Sequence, residues 1–416
     1  MSFFSLLLQR ESFHAFRYLD FRRFIFSKFM ITIAQQVQFV VLSWQVYEIT
    51  HDPLSLGLLG LAEAIPAVSF SLAGGYVADK INRKKILAIV GISLVLCTSY
   101  LLFLSMESVA GTLVTAVPFY AVMFIIGLGR GFYSPAQFSL MTQLIPREAY
   151  ANSSAWNSTF WHIAVVVGSA SGGLLLAWLG KPVTYFIVLC CVLISLIQIL
   201  RIKAPHFDPI PHAESAMDSI RTGLKFVFNN KVILGAMTLD LVAVLFGGAT
   251  AMLPVFASDV LHVGERGFGF LRAAPFAGAV IMALYMTRNP PLRNAGKKLL
   301  ICVSGFACCM IAFALSRSFV ASLLILALSG AFDNVSVVIR STIIQLFTPE
   351  NMRGRVSSVS TMFISSSNEI GAFESGFAAR ILGLIPSVIF GGAVALSAVT
   401  LAAWKLPALR RLELKT

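Results

Sequence analysis

Nine ionisable side chains lie inside long apolar runs of this sequence: Lys28, Glu63, Arg130, Asp240, Arg272, Asp333, Arg340, Glu369 and Glu374. In a bilayer each costs roughly 2.5–3.5 kcal/mol on insertion scales, so each needs a partner, a wet cavity or a task. Asp333 and Arg340 are seven residues apart and share a helix face, but two turns separate them by roughly 10 Å, long for a direct bond. Glu369 and Glu374 are five apart, about 140° around a helix, and should meet different partners. A carboxyl taken out of water holds its proton more tightly, so a buried acid can exchange protons near neutrality. Asp240, Asp333, Glu369 and Glu374 are therefore candidate proton-coupling groups, with Arg340 as counter-ion. The plain alternative for each is a structural ion pair. Lys28 and Arg272, near the ends of their runs, are expected to snorkel toward the surface.

A second polar set lies in the first half of the chain. Gln38 and Gln45 share one face of an apolar helix and Gln35 lies close to it. A polar stripe on a membrane helix faces the bundle interior or a cavity, so Gln35, Gln38, Gln45, Glu63 and Arg130 are candidate substrate contacts. Interhelical hydrogen bonding is the alternative for the glutamines. There is no Gly-x-x-x-x-Gly-Lys phosphate loop, and neither the six cysteines nor the six histidines have metal-ligand spacing. No cofactor and no metal are expected, nor a catalytic set.

The elements that must hold these residues are membrane helices. Of 416 residues, 57% are hydrophobic and 12% charged, about half the charge of a soluble domain. The apolar residues fall in runs near 20 residues, the length that crosses a bilayer. Twelve spans can be drawn: 24–48, 54–77, 86–106, 111–137, 155–178, 182–201, 232–258, 267–287, 298–316, 319–343, 356–382 and 385–405. The predicted organisation is an N-terminal segment 1–23, a six-helix bundle 24–201, a linker 202–231 with an amphipathic helix around Ser215–Phe228, a second six-helix bundle 232–405 and a tail 406–416. The net charge of +13 sits mainly in loops on one side, at 10–23, 80–85, 147, 201–231, 288–298, 353–355 and 405–415. That asymmetry sets orientation rather than nucleic-acid binding and puts both termini in the cytoplasm. Phe3–Leu8 is too short for the core of a cleavable signal peptide.

A shift of 203 residues superimposes Gly127 on Gly330, Pro146 on Pro349, Phe160 on Phe363, Gly168 on Gly371, Gly173 on Gly376 and Gly180 on Gly383, and also Gly75 on Gly278. A same-direction repeat of six spans implies two halves related by an axis along the membrane normal, with substrate bound between them.

The loop Gly75-Tyr76-Val77-Ala78-Asp79-Lys80-Ile81-Asn82-Arg83-Lys84-Lys85 resembles the signature of the major facilitator superfamily. The resemblance implies a conformational latch of Gly75, Asp79 and Arg83. The loop at Arg288–Lys298 lacks the Asp, so the latch is single. Gly168-Ser169-Ala170-Ser171-Gly172-Gly173 is similar to the superfamily's antiporter element with Ser169 in place of proline, and it also reads as a face for close helix packing. Tyr47-Glu48-Ile49-Thr50, Leu144-Ile145-Pro146-Arg147-Glu148, Thr348–Val356, Ser367-Asn368-Glu369 and Phe373-Glu374-Ser375-Gly376 resemble the enterobactin-exporter-like branch and its drug-efflux relatives. The resemblance implies a monomeric, proton-coupled exporter of a small amphipathic compound in a bacterial inner membrane. Uptake or lysolipid flipping by the same fold is the alternative, and a multi-span membrane enzyme or sensor is the reading from another class.

Overall fold

The structure is a computed structural model that describes residues 11–106, 115–203, 216–247, 249–289, 291, 294–349 and 352–413. Every regular element in them is helical. The long helices are α1 (Leu19–Thr50), α2 (Pro53–Lys80), α3 (Arg83–Leu104), α4 (Val117–Gln143), then α5 and α6 as the two arms of Tyr150–Arg201. The amphipathic α7 (Ala216–Asn229) precedes α8 (Lys231–Phe246), α9 (Gly264–Arg288), α10 (Ala295–Leu315), α11 (Phe319–Phe347), α12 (Arg353–Leu382) and α13 (Leu384–Lys405). Among the described residues, ten stretches are long and apolar enough to span a bilayer. One of them contains both α5 and α6. The other long helix, α12, is 30 residues but less apolar, because it carries Glu369, Glu374 and a run of serines.

Helix ends follow local chemistry. Asn82 Oδ1 accepts from Lys84 N at 3.0 Å and starts α3. Asn230 Oδ1 accepts from Val232 N and Ile233 N and starts α8. Both satisfy amides that have no partner within their helix. Two glycines make the hairpins of the repeat. Gly180 (φ 72°, ψ 177°) separates α5 from α6, and Gly383 (φ 88°, ψ 157°) separates α12 from α13. That backbone region is essentially open to glycine alone, and these two positions are matched by the 203-residue shift.

The chain divides into two compact units, Met1–Leu42 with Ile65–Pro211, and Ser43–Ala64 with His212–Thr416. The tip of the α1–α2 hairpin, residues 43–64, thus groups with the second unit. The first unit has its core at Phe21, Phe24, Ile25, Leu87, Ala136 and Leu140. Within it, Gly168 of α5 faces Ile33 and Gln36 of α1, and Gly172 faces Val37 and Val40. The small-residue run at 168–173 therefore serves close packing. In the second unit Gly371 of α12 lies against Val244 and Leu245 of α8, the corresponding pair of helices under the repeat. The amphipathic α7 lays Gly223 and Val227 on Arg355 and Val359 of α12.

Candidate functional site

In the second unit, α8, α10 and α11 converge on Asp240. A guanidinium nitrogen of Arg340 makes an ion pair with Asp240 Oδ2, and each side chain is only 8% exposed. Asp240 lies roughly 14 Å along α8 from its start at Lys231, well inside the apolar layer. A pair at that depth survives because each charge satisfies the other; either one alone would be strongly unfavourable. The seven-residue separation of Asp333 and Arg340 does not close. Arg340 reaches across to α8 instead.

Asp240 lies between two small cavities. One, about 10 Å³, is lined by Asp240, Asp333, Ser336 and the apolar Ala243, Val303 and Phe306. The other, about 40 Å³, is lined by Asp240, Arg340, Ser341 and Ser360 among others. Asp240, Asp333 and Arg340 therefore form one neighbourhood, with two carboxylates to one guanidinium. Such a cluster can hold and pass a proton.

The remaining acids lie apart from it. Glu369 directs Oε2 over Gly60 of α2, 3.7 Å from where a Cβ there would stand. Glu374 has the hydroxyl of Ser375 as its neighbour on the same helix. Their different surroundings follow from their angular separation on α12. Glu63 lies within electrostatic range of Arg272 on α9. Both belong to the second unit, so Glu63 sits by a counter-charge. Arg272 lies two turns into α9.

The first unit holds the other polar residues. Thr98 Oγ1 donates to Gln38 Oε1 at 2.9 Å in a buried bond between α3 and α1. Ser169 Oγ donates to Gln36 Oε1 at 3.3 Å. Gln38 thus joins helices, while Gln35 and Arg130 are exposed. Gln45, on the hairpin tip in the second unit, is buried. Lys28 does not reach for the surface. The helix begins at Leu19, and Lys28 Nζ donates to Asn157 Oδ1 of α5 at 2.7 Å. Arg83 is buried at the start of α3; the surroundings of Gly75 and of the Asp79 side chain, and with them the expected latch, lie outside the described residues. Among the described residues no cluster of three His, Cys, Asp or Glu side chains could hold a metal.

The hairpin tip carries contacts that sequence spacing did not reveal. Tyr47 OH donates to Asp259 Oδ2, Trp44 stacks on Phe268 at 6.0 Å, and Arg380 pairs with Asp52 at 3.3 Å. A Cβ on Gly57 would come within 3.0 Å of Phe373 Cα. Ser336 also went unnoticed. It lies one helical turn beyond Asp333, a spacing that could have flagged it.

A family model described as transmembrane secretion effector matches residues 11–415. The enterobactin exporter EntS of Shigella boydii serotype 18 and that of Escherichia coli O81 are each 25% identical over 361 residues, 85% of this chain and 83% of theirs. Among solved structures, the nucleoside transporter NupG matches with a TM-score of 0.69 at 14% identity, covering 93% of this chain and 99% of that one. A D-xylose-proton symporter matches with 0.71 at 14%, covering 93% and 98%.

Proposed function

Since the chain belongs to the transmembrane secretion effector family, multi-span transporters of the major facilitator kind, we propose that it is a proton-coupled exporter of a small amphipathic compound. The carrier works by alternating access, and its cargo is of the siderophore or drug type. The observation that carries proton coupling is the buried Asp240–Arg340 pair with Asp333 on a shared cavity, inside a fold that has no phosphate-binding loop. Excess acid over base at that depth suits a group that is protonated in one half of the cycle and ionised in the other. The export direction and the cargo class rest on the similarity to the enterobactin exporters. Basic residues at 80–85, 201–231 and 288–298 support a cytoplasmic placement of both termini in a bacterial inner membrane. Glu369 and Glu374 are further coupling candidates; Gln35 and Arg130 are candidate cargo contacts. The latch of Gly75, Asp79 and Arg83 is proposed to steady one end of the first unit, as Asp79 can sit at the positive end of a neighbouring helix.

The purified protein reconstituted in vesicles tests this. With the cytoplasmic face outward, an acidic interior should drive uptake of enterobactin or ethidium, and a protonophore should abolish it. Uptake that ignores the pH gradient, or that needs ATP, would refute proton-coupled export.

A further inference from the structure

The cavity between α8, α10 and α11 contains a second observation beside its two acids. Ser336 is 3% exposed, lines the cavity, and its Oγ has no hydrogen-bond partner among the described residues. A buried hydroxyl with nothing to bond costs on the order of 1–3 kcal/mol, so its persistence needs an occupant. About 10 Å³ is the room that one water requires, and a buried water needs two to four polar partners. Asp240, Asp333 and Ser336 supply three. The rest of the lining, Ala243, Val244, Cys302, Val303 and Phe306, is apolar or nearly so. It leaves an occupant no other strong partner.

We infer that this cavity is a one-water proton site, in which a water held by Ser336 links Asp240 to Asp333 and Asp333 carries the single coupling proton. The inference rests on the proton-coupled reading and assigns the site of that coupling. The charge balance is simple. Arg340 neutralises Asp240, which leaves one carboxylate, Asp333, to be neutralised by one proton. Across the cavity the titratable groups facing Asp333 are Asp240 on α8 and the Cys302 thiol on α10; on its own helix the nearest charge is Arg340. Arg272 of α9 and Glu369 and Glu374 of α12 are outside the lining. In the transfer, an O–H bond of the water breaks as one forms on the Asp333 carboxylate. Asp240, ionised beside Arg340 at rest, first takes a proton from the larger cavity on its other side and then gives it to the water, which leaves Asp240 ionised again. Each group between the larger cavity and Asp333 gains and loses one proton, so the only net change is on Asp333.

Two measurements test it. In a titration of the purified carrier with a pH indicator, Asp333→Asn should bind one proton fewer than the wild type, and its infrared spectrum should lose one protonated-carboxyl band. This needs no cargo, so it is independent of whether export itself is observed. In vesicles, Asp333→Asn should lose pH-driven flux yet keep cargo exchange at equal pH, which reports a folded carrier. Ser336→Ala should slow pH-driven flux about tenfold, the worth of one hydrogen bond, and Ser336→Thr should restore it. An unchanged proton count in Asp333→Asn, an unchanged rate in Ser336→Ala, or a sodium gradient driving the wild type in place of protons would overturn the assignment. If the wild type shows no pH-driven flux but Asp333→Asn still lacks one proton, the coupling reading fails and the proton site stands.

Discussion

At the scale of single residues, the second unit is organised around a charge that cannot be left alone. Arg340 and Asp240 are both nearly fully buried, and removing one partner of such a pair costs about 3–5 kcal/mol because the other charge stays buried. Asp240→Asn should therefore lower the thermal unfolding temperature of the detergent-solubilised protein strongly. Asp240→Asn combined with Arg340→Gln should recover most of that loss, since neither charge of the pair is then left buried without its partner. A double variant no more stable than the single one would mean that the pair is not what holds these helices. The Arg380–Asp52 pair gives the contrast. Arg380 is 59% exposed, and pairs of that kind contribute about 0–1 kcal/mol, so Arg380→Gln should leave unfolding nearly unchanged.

At the scale of elements, glycines decide where helices turn and how closely they pass. Gly180 and Gly383 occupy backbone conformations that a side chain disfavours by about 1–3 kcal/mol. Gly180→Ala and Gly383→Ala should each destabilise by that amount in thermal unfolding, and alike, because they make the same turn in the two halves of the repeat. Gly371 touches the backbone of α8 at Val244 and Leu245, with a Cβ placed 2.9 Å from both carbonyl oxygens. Gly371→Val should push α12 off α8, lowering stability by about 1–3 kcal/mol. Gly354, where an added Cβ meets nothing within 4 Å, is the matched control, and Gly354→Ala should be nearly neutral.

At the scale of the whole molecule, the composition and the family assignment agree on a multi-span transporter. The proposed twelve spans, an even number, would place both ends of the chain on one side, and the proposed orientation by the basic loops makes that side the cytoplasm. A fluorescent protein fused after residue 416 should fold and fluoresce inside the cell, and a periplasm-dependent phosphatase at the same point should stay inactive. The reverse pattern would overturn the cytoplasmic placement of the C-terminal end. The two compact units are not the two sequence repeats. Residues 43–64 belong to the first repeat and pack with the second unit, through Tyr47, Trp44 and Gly57.

The amino-acid sequence by itself determined the solvent of this protein, the positions of its helices and the repeat. Runs of apolar residues near bilayer length permit little else, and paired glycines mark equivalent turns. It also marked which polar residues were out of place, because a charge among apolar neighbours is visible without coordinates. It could not say which charges meet. Asp240 and Arg340 are a hundred residues apart, and only the packing of α8 on α11 brings them together. Nor could it place Lys28, whose partner Asn157 lies on another helix, or show that Ser336 faces a cavity rather than lipid. Those facts depend on helix rotation and on the distance between helices. Both are set by the combined packing of many side chains, and no periodicity along one chain records them.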